Sequence, residues 1–229
     1  MTTALADRFT AIQTQIGSLS RQINYPSPTL LAVSKTRSID DINALYQLGQ
    51  RHFGENYLNE ALSKIETLKA LDITWHFIGP IQSNKTRPIA HHFHWVHSVA
   101  RLKVAKRLND QRPEGMAPLN ICLQVNIDNE PSKSGLPVED VPATAAKILQ
   151  LPNLKLRGLM CIPQKSDNTQ QQRQPFQKLA VLLQQLKQEQ PTLTLDTLSM
   201  GMSNDLEAAI QEGATLVRIG TALFGPRST

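Results

Sequence analysis

The chain has 229 residues, 40% hydrophobic and 19% charged, which is the balance of a globular protein with a sizeable core and excludes a low-complexity or fibrous one. A formal net charge of +5 and a pI near 9.3 suit anionic ligands. The basic residues are spread out, however, and the densest group (Arg101, Lys103, Lys106, Arg107) falls on one expected helix, so a solvated helix face is expected and not a nucleic-acid footprint.

Cys122 and Cys161 each sit in an apolar run without CxxC spacing, as buried free thiols do. Residues Met1–Arg8 lack the apolar core of a secretion signal, and no apolar run is long enough to span a bilayer. A cytoplasmic, reduced protein is expected.

Residues 3–22 carry Leu5, Phe9, Ile12, Ile16 and Leu19 at intervals of three or four, an amphipathic helix. Leu30–Val33, preceded by Pro26 and Pro28, read as a short strand buried on both faces, with Lys35 just past its end. Ser38 opens a second helix with Asp41 three residues on as a partial capping box, and Gly49 closes it. His52–Asn56 form the second strand. Leu58, Ala61, Leu62, Ile65 and Leu68 then mark the inner stripe of a helix.

The third strand is Ile73–Ile78, and a helix from about Ser83 leads to a fourth strand, His94–Ser98. A helix at Arg101–Leu108 is followed by the fifth strand, Leu119–Ile127, and a helix near 138–150. Leu154–Met160 is the sixth strand. The glutamine-rich stretch 170–190 keeps Phe176, Leu179, Leu183 and Leu186 in helical register, so it is expected to be a helix. Leu195–Leu198, a helix over 204–212, and Thr215–Ile219 complete the series.

Eight strands alternating with helices in a chain of this length predict a (β/α)₈ TIM barrel with an extra N-terminal helix, in one domain spanning 1–229. The leading helix is expected to fill the gap left where the last barrel helix belongs. Barrels of this kind gather their chemistry at the carboxyl ends of the strands. That rule brings together Lys35, Asn56, His76, Ser199–Ser203 and Arg218–Thr221.

A lysine in such a place is a solvated cation, a phosphate clamp, or an amine that forms a Schiff base. Gly201 and Ser203 before one helix, and Gly220 and Thr221 after the last strand, suit a phosphate dianion. Ordinary turns use the same glycines. His91, His92, His94 and His97 look like a metal cluster, but only His92 and His94 would share a strand face, so packing and solvent contacts are expected and no metal site. Trp75 and Trp95 are expected in the core and at the mouth. Lys133 and Lys165 are expected to be loop lysines, with Lys133 a candidate surface contact for an anion.

Several long segments stand in one order: Ala32–Thr36 (AVSKT), His52–Tyr57 (HFGENY), Trp75–Lys85 (WHFIGPIQSNK), Ser132–Gly135 (SKSG), Leu156–Met160 (LRGLM), Ser199–Ser203 (SMGMS) and Val217–Thr221 (VRIGT). Together they resemble the pyridoxal phosphate homeostasis protein family, whose fold is similar to the N-terminal barrel of alanine racemase (fold type III). The resemblance runs from about residue 28 to Arg227. It implies that Lys35 forms the internal aldimine with pyridoxal 5′-phosphate, that Ser203 and the backbone of Gly220 and Thr221 hold the phosphate, and that Arg218 faces the pyridine nitrogen. Asn56 and His76 would line the ring pocket, and Ser199 and Met200 would belong to the same cofactor site.

Alanine racemase also has a second, β-rich domain and a tyrosine acting as acid or base from the other face of the cofactor. Neither is expected here; of Tyr25, Tyr46 and Tyr57 only Tyr57 lies near the expected mouth. The resemblance therefore implies a protein that holds, buffers or delivers the cofactor and not a catalyst; a monomer is expected, since no heptad seam or self-association stripe is visible, in transient contact with cofactor-dependent enzymes. The competing reading is a weak amino-acid racemase in which Tyr57 or His76 supplies the opposing base.

Overall fold

The strands follow one another around a closed parallel barrel in chain order: β1 Thr29–Val33, β2 His52–Glu55, β3 Thr74–Phe77, β4 Trp95–Val99, β5 Leu119–Gln124, β6 Leu154–Met160, β7 Thr197–Ser199 and β8 Leu216–Ile219. Around them run α1 Thr2–Gln22, α2 Ile39–Gln47, α3 Leu58–Thr67, α4 Thr86–His92, α5 Leu102–Asp110, α6 Val141–Ile148, α7 Thr169–Glu189, α8 Leu206–Gln211 and the short α9 Thr221–Phe224. This computed structural model describes residues 2–130 and 133–226; Ser132 and Arg227 of the motifs above lie outside them. The architecture is the expected (β/α)₈ barrel with a leading helix.

Local chemistry accounts for the helix ends. Ser38 Oγ accepts from the Asp41 N–H at 3.1 Å, and Gly49, with φ +96°, turns the chain out of α2. Asn168 caps α7 in the same way, and the glutamine-rich segment is one helix of 21 residues that buries Phe176, Leu179, Leu183 and Leu186. Between strands and helices lies one continuous apolar cluster that includes Phe53, Trp75, Phe77, Phe93, Val96, Ile121 and Val217.

The barrel closes where β1 pairs with β8, with Leu31 opposite Arg218 and Ala32 opposite Ile219. Helix α1 packs against α8, α9 and α2, so it does fill the gap in the helical ring. Its Arg8 Nε donates to the Leu223 carbonyl at 2.8 Å.

Three details depart from the sequence reading. The seventh strand begins at Thr197 and reaches Ser199, because the hydrogen bonds of its end to β8 outweigh the apolar Leu195. The inner face of α3 buries Lys64 alongside Ala61 and Leu68, while Leu62 and Ile65 are half-buried. Trp95 is the first residue of β4, at the end of the barrel away from the mouth. There its ring stacks on His76 (centroids 5.5 Å apart, 15° between planes), and the Arg157 guanidinium lies 4.8 Å above it.

Candidate functional site

Lys35 stands two residues beyond β1, half-buried, in a turn whose next residue, Thr36, has a left-handed φ of +59°. That turn is held from both sides. Buried Lys64 Nζ donates to the Ser34 carbonyl at 2.7 Å, to Glu55 Oε1 at 2.9 Å and to Glu60 Oε1 at 2.5 Å. Ser34 Oγ donates to Glu55 Oε1 at 2.6 Å, and the Thr36 N–H donates to Glu60 Oε1 at 2.6 Å. Burial pushes the Glu55 carboxyl up from its ordinary value, and Lys64 and Ser34 oppose that shift. The residues on either side of Lys35 are thus fixed by charge-assisted bonds from β2 and α3.

The pairing of β1 with β8 brings the loop after β8 next to this turn. A Cβ on Gly220 would lie 3.5 Å from the Val33 carbonyl oxygen, and Thr221, at the start of α9, is exposed. On the other side of β8 the loop after β7 is set by Gly201, with φ +91°, where a Cβ would meet that of Ala209 at 2.5 Å. Gly201 accepts from the Arg218 N–H at 3.0 Å, the Met202 N–H donates to Asp205 Oδ1 at 2.5 Å, and Ser203 is exposed. Ser203, Gly220 and Thr221 therefore sit on the loops after the adjacent strands β7 and β8, of which β8 pairs with the strand that leads to Lys35.

Two of the expected site residues are placed otherwise. The Met200 side chain is fully buried in the apolar cluster and its N–H is committed to the Leu216 carbonyl at 3.1 Å, so the sheet uses it. His76 is enclosed beneath the mouth, where its Nδ1 lies 2.9 Å from His97 Nε2 and its Nε2 lies 3.0 Å from His52 Nδ1. Both ring nitrogens are thus taken up by neighbouring imidazoles.

Ser199 is also buried, and it serves Arg218. The buried guanidinium donates through Nη1 to the Ser199 carbonyl at 2.5 Å and to Ser199 Oγ at 2.9 Å, and through Nη2 to the Cys161 carbonyl at 2.9 Å. His97 Nδ1 lies 2.7 Å from the same Ser199 Oγ. Strands β4 and β7 are not neighbours, so this last contact crosses the barrel interior.

Asn56 directly follows β2 at the mouth, and its Oδ1 is buried with no hydrogen-bond partner among the described residues. A cleft of about 320 Å³ opens between Pro80, Ser98, Arg101, Gln124 and Lys133. Lys133 is drawn to Glu130 at 2.9 Å and Asp128 at 3.7 Å. Among the described residues no three His, Cys, Asp or Glu side chains form a group able to hold a metal, and no helix is long and apolar enough to cross a membrane.

The sequence reading missed Glu55, Glu60, Lys64, His52 and His97 as parts of this site. Glu60 and Lys64 carry a signal, the i,i+4 spacing of an ion pair, but helical spacing alone makes them a surface pair. The histidines share no sequence spacing at all.

Residues 8–228 match the family described as alanine racemase, N-terminal domain. The chain is 61% identical over 198 residues to the pyridoxal phosphate homeostasis protein of Pseudomonas aeruginosa, covering 86% of this chain and 84% of that one. To the protein of the same name from Haemophilus influenzae it is 49% identical, over 95% and 93% of the two chains. Among solved structures, PipY of Synechococcus elongatus PCC7942 with PLP bound superposes with a TM-score of 0.87 at 38% identity, over 96% of this chain and all of that one. Sequence, fold and motif order thus agree, and the chain belongs to the pyridoxal phosphate homeostasis protein family, within the alanine racemase N-terminal domain family.

Proposed function

We propose that this chain binds pyridoxal 5′-phosphate reversibly as a Schiff base on Lys35 and acts in intracellular homeostasis of that cofactor, buffering or delivering it. The observation that carries the reading is the β1–β8 pairing, which brings the turn at Gly220 against Val33, two residues before Lys35. The donor set suits each part of the ligand. Ser203 and Thr221 offer exposed hydroxyls, and the first N–H groups of the turn at Gly220–Thr221 are free of helical partners by geometry, as a phosphate requires. Arg218 has five N–H donors, of which three are committed, leaving two for the pyridine nitrogen. The partnerless Oδ1 of Asn56 awaits a polar group at the ring edge.

When bound, the cofactor supplies a reactive aldehyde and an electron-withdrawing ring. The clamp on Ser34 and Thr36 presents the Lys35 amine to that aldehyde. Arg218 donates and cannot accept, so it would hold a bound ring nitrogen in its unprotonated form and leave the ring a weak electron sink. No opposing acid or base is supplied by His76, whose nitrogens are both occupied, and Tyr57 is 54% exposed. These features support a carrier over a racemase, and we propose that the carrier acts in the cytoplasm as a monomer in transient contact with cofactor-dependent enzymes.

The test is the near-ultraviolet and visible spectrum, followed by borohydride reduction and peptide mapping. An imine band and a reduced pyridoxyl group on Lys35 are expected, both lost in Lys35→Ala with its melting temperature unchanged. A protein that stays colourless with added pyridoxal phosphate, or a pyridoxyl group on another lysine, would overturn the assignment. The carrier role further predicts no deuterium exchange at the α-carbon of alanine or serine.

A further inference from the structure

The chain of contacts beneath the mouth has a direction, and Arg218 fixes it. A guanidinium has donors and no acceptor, so Arg218 Nη1 donates to Ser199 Oγ. If His97 Nδ1 donated to that oxygen as well, both acceptor sites of Ser199 Oγ would be filled and its buried proton would have no acceptor among the described residues. The hydroxyl therefore donates to His97 Nδ1, at 2.7 Å. His97 must then carry its proton on Nε2 and donate to His76 Nδ1, at 2.9 Å. By the same logic His76 donates from Nε2 to His52 Nδ1, at 3.0 Å. His52, the half-buried first residue of β2, keeps its proton on Nε2 at the far end of the strands.

Each ring in this chain needs one donor and one acceptor, the equipment of a neutral imidazole. Burial holds all three rings toward the neutral form, most strongly His76 and His97. Hydrogen bonds aligned in one direction polarise one another, so the bond Ser199 makes to His97 strengthens Ser199 Oγ as an acceptor for Arg218.

We infer that Ser199, His97, His76 and His52 are positioning residues acting as one polarised relay, which holds one edge of the Arg218 guanidinium and leaves its remaining donors to the pyridine nitrogen. The inference rests on the proposed placement of Arg218 against the cofactor ring. It makes His52, on the opposite side of the barrel from Arg218's own acceptors, a determinant of how the cofactor is held.

The experiment has two arms. Nitrogen-15 spectra of the histidine rings in the cofactor-free protein at pH 7 are expected to show Nε2–H tautomers at His52, His76 and His97. An Nδ1–H tautomer at His76 or His97 would overturn the direction. The second arm compares His52→Leu, which removes the terminal acceptor, with His52→Asn, whose Oδ1 stands near the position of Nδ1. His52→Leu is expected to move the absorption maximum of bound pyridoxal phosphate and weaken its affinity about two- to tenfold, the scale of one net hydrogen bond. His52→Asn is expected to restore both.

A His52→Leu protein with lower melting temperature but wild-type absorption and affinity would make the histidines mere packing and sink the relay. Should that variant fail to fold, Ser199→Ala is read by the same two quantities with the same meaning. If wild-type protein takes up no pyridoxal phosphate, the functional reading itself has failed, an outcome separate from a wild-type chromophore that His52→Leu leaves unmoved.

Discussion

Lys64 Nζ lies 2.7 Å from the carbonyl oxygen of Ser34, the residue immediately before Lys35. One lysine of this protein is thus buried so that another can be presented. Its charge is balanced by Glu55 and Glu60 and spread over three oxygens, which is what makes its burial tolerable.

Replacing Lys64 by Met leaves the Glu55 carboxylate enclosed with only Ser34 to bond it. The expected loss of stability is about 3–5 kcal/mol, read from the midpoint of urea unfolding. Adding Glu55→Gln to the same chain removes the stranded charge and is expected to restore a large part of that loss. A Lys64→Met protein as stable as wild type would show that the clamp does not support the Lys35 turn.

Acid should weaken the fold through the buried histidines. Burial takes His97 from its ordinary 6.5 down to about 3. Between those values the unfolded chain binds a proton that the folded chain refuses, so stability falls as pH falls. The slope from His97 alone is about 1.4 kcal/mol per pH unit, or about 2 kcal/mol from pH 6.5 to 5. His76 is shifted the same way and steepens it. Denaturant midpoints across this window should show the loss, and His97→Asn should flatten it.

Gly79 follows β3, and a Cβ there would lie 2.1 Å from the Asn56 carbonyl oxygen, which is backbone and cannot swing aside. Gly79→Ala is expected to cost about 3 kcal/mol in the urea midpoint and to push Asn56 from the mouth. Affinity for pyridoxal phosphate, measured on the folded fraction, should fall with it. An alanine accepted without change in either quantity would mean that this close approach is not needed.

Cys122 and Cys161 are fully buried, and burial pushes both thiols up to about 12. Neither is a thiolate near neutral pH, so a chromogenic disulfide reagent should find no fast-reacting thiol in the native protein and two in guanidinium. A rapid native reaction would place one of them at an accessible surface.

The alternation of strands and helices was legible because each element keeps one period: the stripe of α7 survives a run of glutamines, and Ser38 announces α2 through its cap. The placement of Lys35, Ser203, Gly220 and Thr221 after strands of one barrel was legible because strand ends in a barrel meet. Lys64 was not, since a lysine on a helix is ordinarily solvated and only the carboxylates arriving from β2 and from its own helix bury it. Nor were the roles of Ser199, His76 and His97. Which nitrogen meets which oxygen depends on the inward turn of side chains from β3, β4, β7 and β8, and those strands are brought together only by the closed ring.

The seam between β1 and β8 carries a consequence for the order of events in synthesis. Lys35 leaves the ribosome early, while Gly220 and Thr221 belong to the last strand and the turn after it. Pairing of such distant segments is the slow, entropically costly step of barrel formation. A nascent chain still lacking Leu216–Ile219 would carry Lys35 without the proposed phosphate cradle after β8 and without Arg218. Capture of the cofactor would then register that the ring has shut, and a half-made chain would have no means of withdrawing an aldehyde from the cell.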